Sequence, residues 1–250
     1  MNCKVIPTYC GWRKAFGGTE DIDFFISNLE NKTFLYELSV DKGVPCDTII
    51  VNNSPENEYF SEFINSYHNT KTPNGLMKII DGDNIGISFG GYNFAFKNFK
   101  EDYQDYWMFQ EDDFVYIRDG YYKDAVCVLE QDLNVGYVCM FGPVGPQPAG
   151  WLSPNDPGDT SQKYPAHCNG GFGISRYSDL IKIYNHFGSL PHYKSIGMKD
   201  RRERGKHILQ GEIPFTNVFT TFLNKTLVSI DNSGHPDGYP DDETRMYIKW

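Results

Sequence analysis

Over roughly the first 115 residues, short apolar runs of strand length alternate with segments whose apolar residues recur at helical spacing. Cys3–Thr8 predicts a first strand, followed by a loop holding Gly11, Gly17 and Gly18. Ile22, Phe25, Ile26 and Leu29 predict a helix over about 21–29. Asp47–Val51 predicts a second strand, leading into Asn52-Asn53-Ser54-Pro55. Ser54, Pro55 and Glu56 form a helix start, and Tyr59, Phe60, Phe63, Ile64 and Tyr67 give that helix an apolar face. Leu76–Ile80 predicts a third strand, ending at Asp81-Gly82-Asp83. Phe89, Tyr92, Phe96 and Phe99 predict a helix over Ser88–Phe99. Tyr106-Trp107-Met108-Phe109 then reads as a buried strand running into Gln110-Glu111-Asp112-Asp113.

Strands alternating with helices imply a parallel sheet with right-handed crossovers. In such a sheet the strands end on one edge, where open α/β sheets build ligand sites. Three of the four strands end in Asn, Asp or Glu, so polar side chains converge on that edge.

The second half has a different texture. Asp119–Leu129 predicts a helix and Gly136–Phe141 a strand. Gly142–Pro165 is dense in Gly and Pro, with Trp151 in its middle; it is either a lid or acceptor-site wall, or an inert surface excursion. His167-Cys168-Asn169-Gly170-Gly171-Phe172-Gly173-Ile174-Ser175-Arg176 reads as a glycine turn entering a strand and then a helix; its glycines permit close backbone approach to a ligand. Ile213–Leu223 predicts a helix and Leu227–Ile230 a short strand. The tail holds Gly234-His235-Pro236-Asp237-Gly238. No internal repeat or low-complexity segment interrupts the pattern.

Composition narrows the class. The 250 residues are 40% hydrophobic, so the chain is globular. A net charge of -10 argues against a general nucleic-acid binder, which needs a basic surface. It leaves open a phosphate-bearing small molecule held through a metal ion. Six cysteines form no C-x-x-C pair, which argues against zinc. The N-terminus lacks a signal-peptide core, and no run reaches membrane-span length. The expectation is a soluble, cytoplasmic chain with reduced thiols.

The chemistry concentrates in Glu111-Asp112-Asp113. Adjacent carboxylates repel, which calls for raised pKa values or a bound cation, and hard oxygen ligands suit Mg²⁺ or Mn²⁺. The bland alternative is a solvated acidic turn.

Taken in order, the motifs resemble the nucleotide-sugar-dependent glycosyltransferases of the GT-A fold, most like family 2, over about residues 3–230. Pro7-Thr8-Tyr9 is similar to the family's first strand end, and Val51-Asn52-Asn53-Ser54 stands where the family has Val-Asp-Asp-Gly-Ser. Asn84-Ile85-Gly86 resembles the Asn-x-Gly before the third helix, and Phe109–Asp113 the metal-binding D-x-D region. Asn169–Arg176 resembles the acceptor-side Gly-Gly segment, and Gly211-Glu212 sits where the family carries Glu-Asp. Two departures stand out: Asn52 replaces an aspartate, and Ile213 follows Glu212 where the second acid would be.

The resemblance implies a single α/β domain of GT-A type over 1–250. Its mostly parallel, Rossmann-like sheet would be flanked by helices, with a nucleotide-sugar half (1–115) and an acceptor half (116–250). It implies a metal-dependent, inverting glycosyltransferase of the hexosyl-transferring type, acting in polysaccharide biosynthesis. The partners would be a nucleotide diphosphate sugar donor and a glycan or glycoconjugate acceptor; the sequence leaves a homodimer open. Asp113, with Glu111, would hold Mn²⁺ or Mg²⁺, with His235 as a further ligand reaching from the tail. Asp112 would face the sugar. Thr8, Asn52 and Asp81 would line the nucleobase and ribose pocket, and Tyr9 would stack on the base. Glu212 would be the general base, kept ionised by a helix N-terminus, with Asp156 and Asp159 as alternatives. Trp12 and Trp151 are candidates to stack on sugar rings. Arg201, Arg202, Arg204 and Lys206 form either a basic loop over the diphosphate or a solvated charged turn.

Two rival readings remain open. One is a sugar-phosphate nucleotidyltransferase, of whose basic glycine signature Gly11-Trp12-Arg13-Lys14 is a faint echo. The other is a non-catalytic carbohydrate- or nucleotide-sugar-binding relic of the fold.

Overall fold

The computed structural model describes residues 1–11, 21–140, 147–148, 163–197, 205–230 and 247–249. Its strands in chain order are β1 (Asn2–Thr8), β2 (Cys46–Asn52), β3 (Thr70–Lys71), β4 (Leu76–Asp81), β5 (Tyr106–Phe109) and β6 (Phe114–Tyr116). They continue with β7 (Val135–Cys139), β8 (Gln147–Pro148), β9 (Lys163–Tyr164), β10 (Gly173–Arg176), β11 (Thr226–Ser229) and β12 (Tyr247–Lys249). Eight of them form one sheet in the order β11-β7-β10-β5-β1-β2-β4-β3. Six run parallel; β10 and β3 run the other way. The expected α/β class, a mostly parallel sheet flanked by helices, is what the chain adopts.

The helices are α1 (Ile22–Asn28), α2 (Leu35–Ser39), α3 (Glu58–Asn65), α4 (Ile87–Phe99), α5 (Tyr121–Gln131), α6 (Tyr177–Phe187) and α7 (Ile213–Thr221). Strand alternation assigns them to opposite faces of the sheet. Cys3 and Val5 of β1, with Ile49 and Val51 of β2, pack against Phe89, Tyr92 and Phe96 of α4, Leu180 and Ile183 of α6 and Phe215 of α7. Ile6 and Ile50 point the other way, toward Leu29, Phe34, Phe60 and Ile64. On that same side Met108, Val138 and Ile174 pack on Tyr121, Tyr122 and Ala125 of α5.

Two differences from the sequence reading have clear causes. The helix starting near residue 21 does not stop at Leu29: a π-helical turn over Leu29–Phe34 carries it into α2, burying Leu29, Thr33 and Phe34. The helix expected to start at Ser54 starts at Glu58. Its cap is Asn57, whose side chain accepts the Phe60 N–H at 3.1 Å. Ser54 instead accepts the Cys10 N–H at 3.3 Å, tying the exit of β1 to the exit of β2.

An ion cluster lies buried beneath β1. Lys4 and Lys42 both pair with Glu37, at Oε1 and Oε2 respectively, and Thr48 Oγ1 donates to Glu37 Oε2 at 2.8 Å. Lys4 also donates to the Tyr121 hydroxyl at 3.0 Å. All six cysteines are free. Among the described residues no helix is long and apolar enough to cross a membrane.

Candidate active site

Register fixes the polar edge. Thr8 is level with Asn52, and Asn52 with Asp81, so the ends of β1, β2 and β4 form one row. Thr8 and Asn52 are fully buried, whereas Asp81 is exposed. Asn52 spends its amide inside the protein. Its Nδ2 donates to Asp81 Oδ1 at 3.0 Å and to Ser61 Oγ at 2.9 Å, and its Oδ1 accepts the Ser54 N–H at 3.0 Å. A carboxylate at 52 could neither donate nor sit comfortably beside Asp81, which accounts for the amide here. Asn52 therefore orients Asp81, and Asp81 is the member of the row that meets solvent.

The next exit is strained. Asn84 and Ile87 have φ of +54° and +49°, the latter unusual for a β-branched residue, and Gly86 lies between them at +81°. Asn53 Nδ2 holds the Ile87 carbonyl at 3.1 Å. Ile85 pairs with Ile196, the Gly86 N–H donates to Ser195 O at 2.8 Å, and the Gly197 N–H to Asn84 O at 2.9 Å. This clamps the 193–197 segment onto the sheet edge beside Tyr9, whose hydroxyl lies 3.2 Å from where a Cβ on Gly197 would stand.

The acidic motif forms the turn between β5 and β6. Gln110 is buried, its N–H donating to Val5 O at 3.1 Å and its side-chain amide to the Phe114 carbonyl. Asp112 Oδ2 accepts the Tyr9 N–H at 3.3 Å, and its backbone carbonyl accepts from Thr33 Oγ1 at 2.5 Å. Thr33 stands in the π-helical turn, so that irregularity braces the motif. Burial pushes the Asp112 carboxyl well above the usual carboxylate range; the Asp113 and Glu111 charges push it further, against the Tyr9 N–H bond.

Glu111 reaches the second half of the chain. A Cβ on Gly170 would stand 2.9 Å from Glu111 Oε2, so the carboxylate lies against that glycine. The same Gly170 donates its N–H to Glu212 Oε1 at 2.9 Å. Gly170 and Gly171 both take positive φ, +61° and +62°, which only glycine adopts cheaply. Their carbonyls accept the hydroxyls of Tyr92, at 3.1 Å, and Tyr137.

Glu212 is not where its helix-dipole argument needed it. The described residues are helical from Gly205 through a π-helical turn, Ile208–Glu212, into α7. The residue is thus inside a helical run rather than at its N-terminus, and the Gly170 amide, not a helix end, engages its carboxylate.

Thr8, Tyr9, Asn52, Asp81, Glu111, Asp112 and Asp113 all lie at the ends of neighbouring strands, and Glu212 joins them through Gly170. Among the described residues no group of three or more His, Cys, Asp or Glu side chains is arranged to hold a metal ion by itself. His235, Asp156, Asp159, Trp12, Trp151, Arg201, Arg202 and Arg204 lie outside the described residues. Lys206 is exposed, and the neighbouring His207 is buried with Nε2 3.3 Å from Gly197 O. Tyr92 and Tyr137 read in the sequence only as apolar positions of a helix and a strand, and Thr33 lies beyond the helix expected over about 21–29.

No protein-family model and no curated protein matches this sequence. Solved structures with a similar arrangement include S. aureus TarS 1–349 in complex with UDP, 15% identical, covering 93% of this chain and 58% of that chain, TM-score 0.45. CMP:2-keto-3-deoxy-manno-octonic acid synthetase complexed with CTP is 10% identical, covering 92% and 89% of the two chains, TM-score 0.43. The WbbM bifunctional glycosyltransferase is 12% identical, covering 92% and 38%, TM-score 0.42. This chain thus spans less than two thirds of the TarS and WbbM structures.

Proposed function

We propose that the chain transfers a hexosyl group from a nucleotide diphosphate sugar to a carbohydrate hydroxyl, with Mg²⁺ or Mn²⁺, by a single inverting displacement. One observation carries this reading: the acidic motif of the first half and Glu212 of the second meet at Gly170. Such a transfer needs a group to neutralise the leaving diphosphate and a base for the acceptor hydroxyl, on either side of the anomeric carbon.

Glu111 and Asp113 offer hard oxygen donors for the metal. A set of one or two carboxylates completed by substrate phosphates suits Mg²⁺-type ions. The bound ion would supply Lewis-acid neutralisation of the diphosphate. Asp81, held by Asn52, would meet the nucleoside at the strand ends, and Tyr9 would cover it. Glu212 would accept the acceptor's hydroxyl proton as the new C–O bond forms and the bond to the diphosphate breaks. The reading also takes the chain as one domain acting in the cytoplasm.

The test is a thermal-shift screen of UDP, GDP, dTDP, CMP and their sugars, with and without Mn²⁺, on wild type and Asp113→Ala. A metal-dependent rise with one nucleotide diphosphate, lost in the variant, is the expected outcome. No shift with any of them, for folded protein, would remove the donor site.

A further inference from the structure

Tyr92 takes no part in the chemistry proposed above, yet it aims its one polar atom at the centre of the site. Its ring is fully buried, 5.4 Å from Phe89, 5.0 Å from Phe109 and 5.4 Å from Phe215 between centroids. Packing of that kind needs only an aromatic ring. The hydroxyl adds a hydrogen bond to the Gly170 carbonyl at 3.1 Å. Gly170 is also the residue that carries Glu212 on its amide and Glu111 against its α-carbon.

The turn is closed by its own backbone, Gly171 N–H to Cys168 O and Phe172 N–H to Asn169 O, both at 3.1 Å. Two consecutive glycines at positive φ have shallow backbone preferences, and Gly populates many conformations. Tyr92 and Tyr137 remove that freedom from the core side by holding consecutive carbonyls. Burial raises the Tyr92 phenol far above its ordinary range, with Glu111, Asp112 and Asp113 adding to it, so the group stays a neutral donor at any working pH.

We propose that Tyr92 is a positioning residue for the Glu212 base: by holding the Gly170 carbonyl it restrains rotation about that glycine, whose N–H in turn holds the Glu212 carboxylate. This rests on Glu212 being the base, as read above.

Tyr92→Phe keeps the ring and removes the hydroxyl. NMR of the full chain supplies a readout independent of turnover. In wild type the Gly170 amide proton titrates with Glu212, and in Glu212→Gln that titration disappears. In Tyr92→Phe the Gly170 resonance moves toward the position of an unbonded amide. With an active donor, kcat falls about tenfold or more while the donor KM is unchanged, and the acid limb of the kcat–pH profile moves upward. A Gly170 resonance unchanged in Tyr92→Phe overturns the positioning role, whatever the activity; so does a wild-type Gly170 amide insensitive to Glu212→Gln, which needs no Tyr92 variant to fold. A wild type that turns over no donor overturns the transferase reading instead, and the Gly170 resonance still decides the positioning.

Discussion

Glu111 and Glu212 come from opposite halves of the chain and meet at one residue, Gly170, the first across its α-carbon and the second on its amide. That contact joins the acidic turn after β5 to the π-helical turn before α7. A side chain at 170 would be opposed twice, by the backbone at φ +61° and by Glu111 Oε2 at 2.9 Å.

Gly170→Ala therefore tests whether the contact matters. An L-residue in the left-handed region costs about 1–2 kcal/mol, and the displaced Glu111 carboxylate adds to that. For a chain of this size the melting temperature should fall by roughly 2–8 °C. Differential scanning calorimetry checks it. If glycosyl transfer is found, the same variant should lose both kcat, through Glu212 on the Gly170 amide, and metal-dependent donor affinity, through the displaced Glu111.

Asn52 makes a second prediction with a sign. Asn52→Asp places a buried carboxylate beside Asp81 and removes the donor to it. Losing that buried bond should cost about 1–3 kcal/mol near neutral pH, with like-charge repulsion added. Protonation of the new carboxyl relieves the repulsion, so the gap to wild type should narrow as pH falls toward about 4. Urea unfolding of both proteins at pH 7 and pH 4 measures it. Equal stability at pH 7 would mean that Asn52 does not hold Asp81.

The strand ends were readable in the sequence because apolar runs stop where polar residues begin: Thr8, Asn52, Asp81 and Glu111–Asp113 all fell on one edge. The Gly170-Gly171 pair was legible as a place of close approach, but not what approaches it. Nothing in the spacing of Phe89, Tyr92 and Phe96 distinguishes a phenol that only packs from one that also bonds. The π-helical turns at Leu29–Phe34 and Ile208–Glu212 were not legible because a search at 3.6-residue spacing does not look for a turn closed by i→i+5 bonds. The burial of Lys4 on β1 was not legible either, because its partners Glu37 and Lys42 come from elements whose docking the local sequence does not state.

Asp112 gives a pH dependence from the site itself. Its carboxyl, raised well above the ordinary value of 3.8, favours the protonated form in the folded chain. The folded state thus binds more protons than the unfolded state above that value, and the group lowers stability as pH rises through the window above it. Asp112→Asn removes the charge and keeps an acceptor for the Tyr9 N–H. It should raise the melting temperature of the protein without added metal at pH 7, with the gain vanishing below about pH 4. Added Mn²⁺ should narrow the difference, because a cation on Glu111 and Asp113 removes the repulsion. A melting curve series across pH, with and without Mn²⁺, decides the point.

Glu37 carries the opposite sign. Burial alone would raise its carboxyl, but the Lys4 and Lys42 ammonium groups outweigh that and hold it down to about 2, from an ordinary 4.5. Its contribution to stability is therefore fully present above pH 4.5 and is lost as pH falls toward 2. Glu37→Gln leaves the Lys4 and Lys42 ammonium groups, both essentially buried, facing a neutral amide. Removing one partner of such a buried set costs about 3–5 kcal/mol. That loss should appear in urea unfolding at pH 7 and shrink as wild type is titrated toward pH 2. A loss under about 1 kcal/mol, in the range of exposed ion pairs, would mean that water reaches the cluster beneath β1 and that Lys4 is not the buried cation its position on the strand makes it.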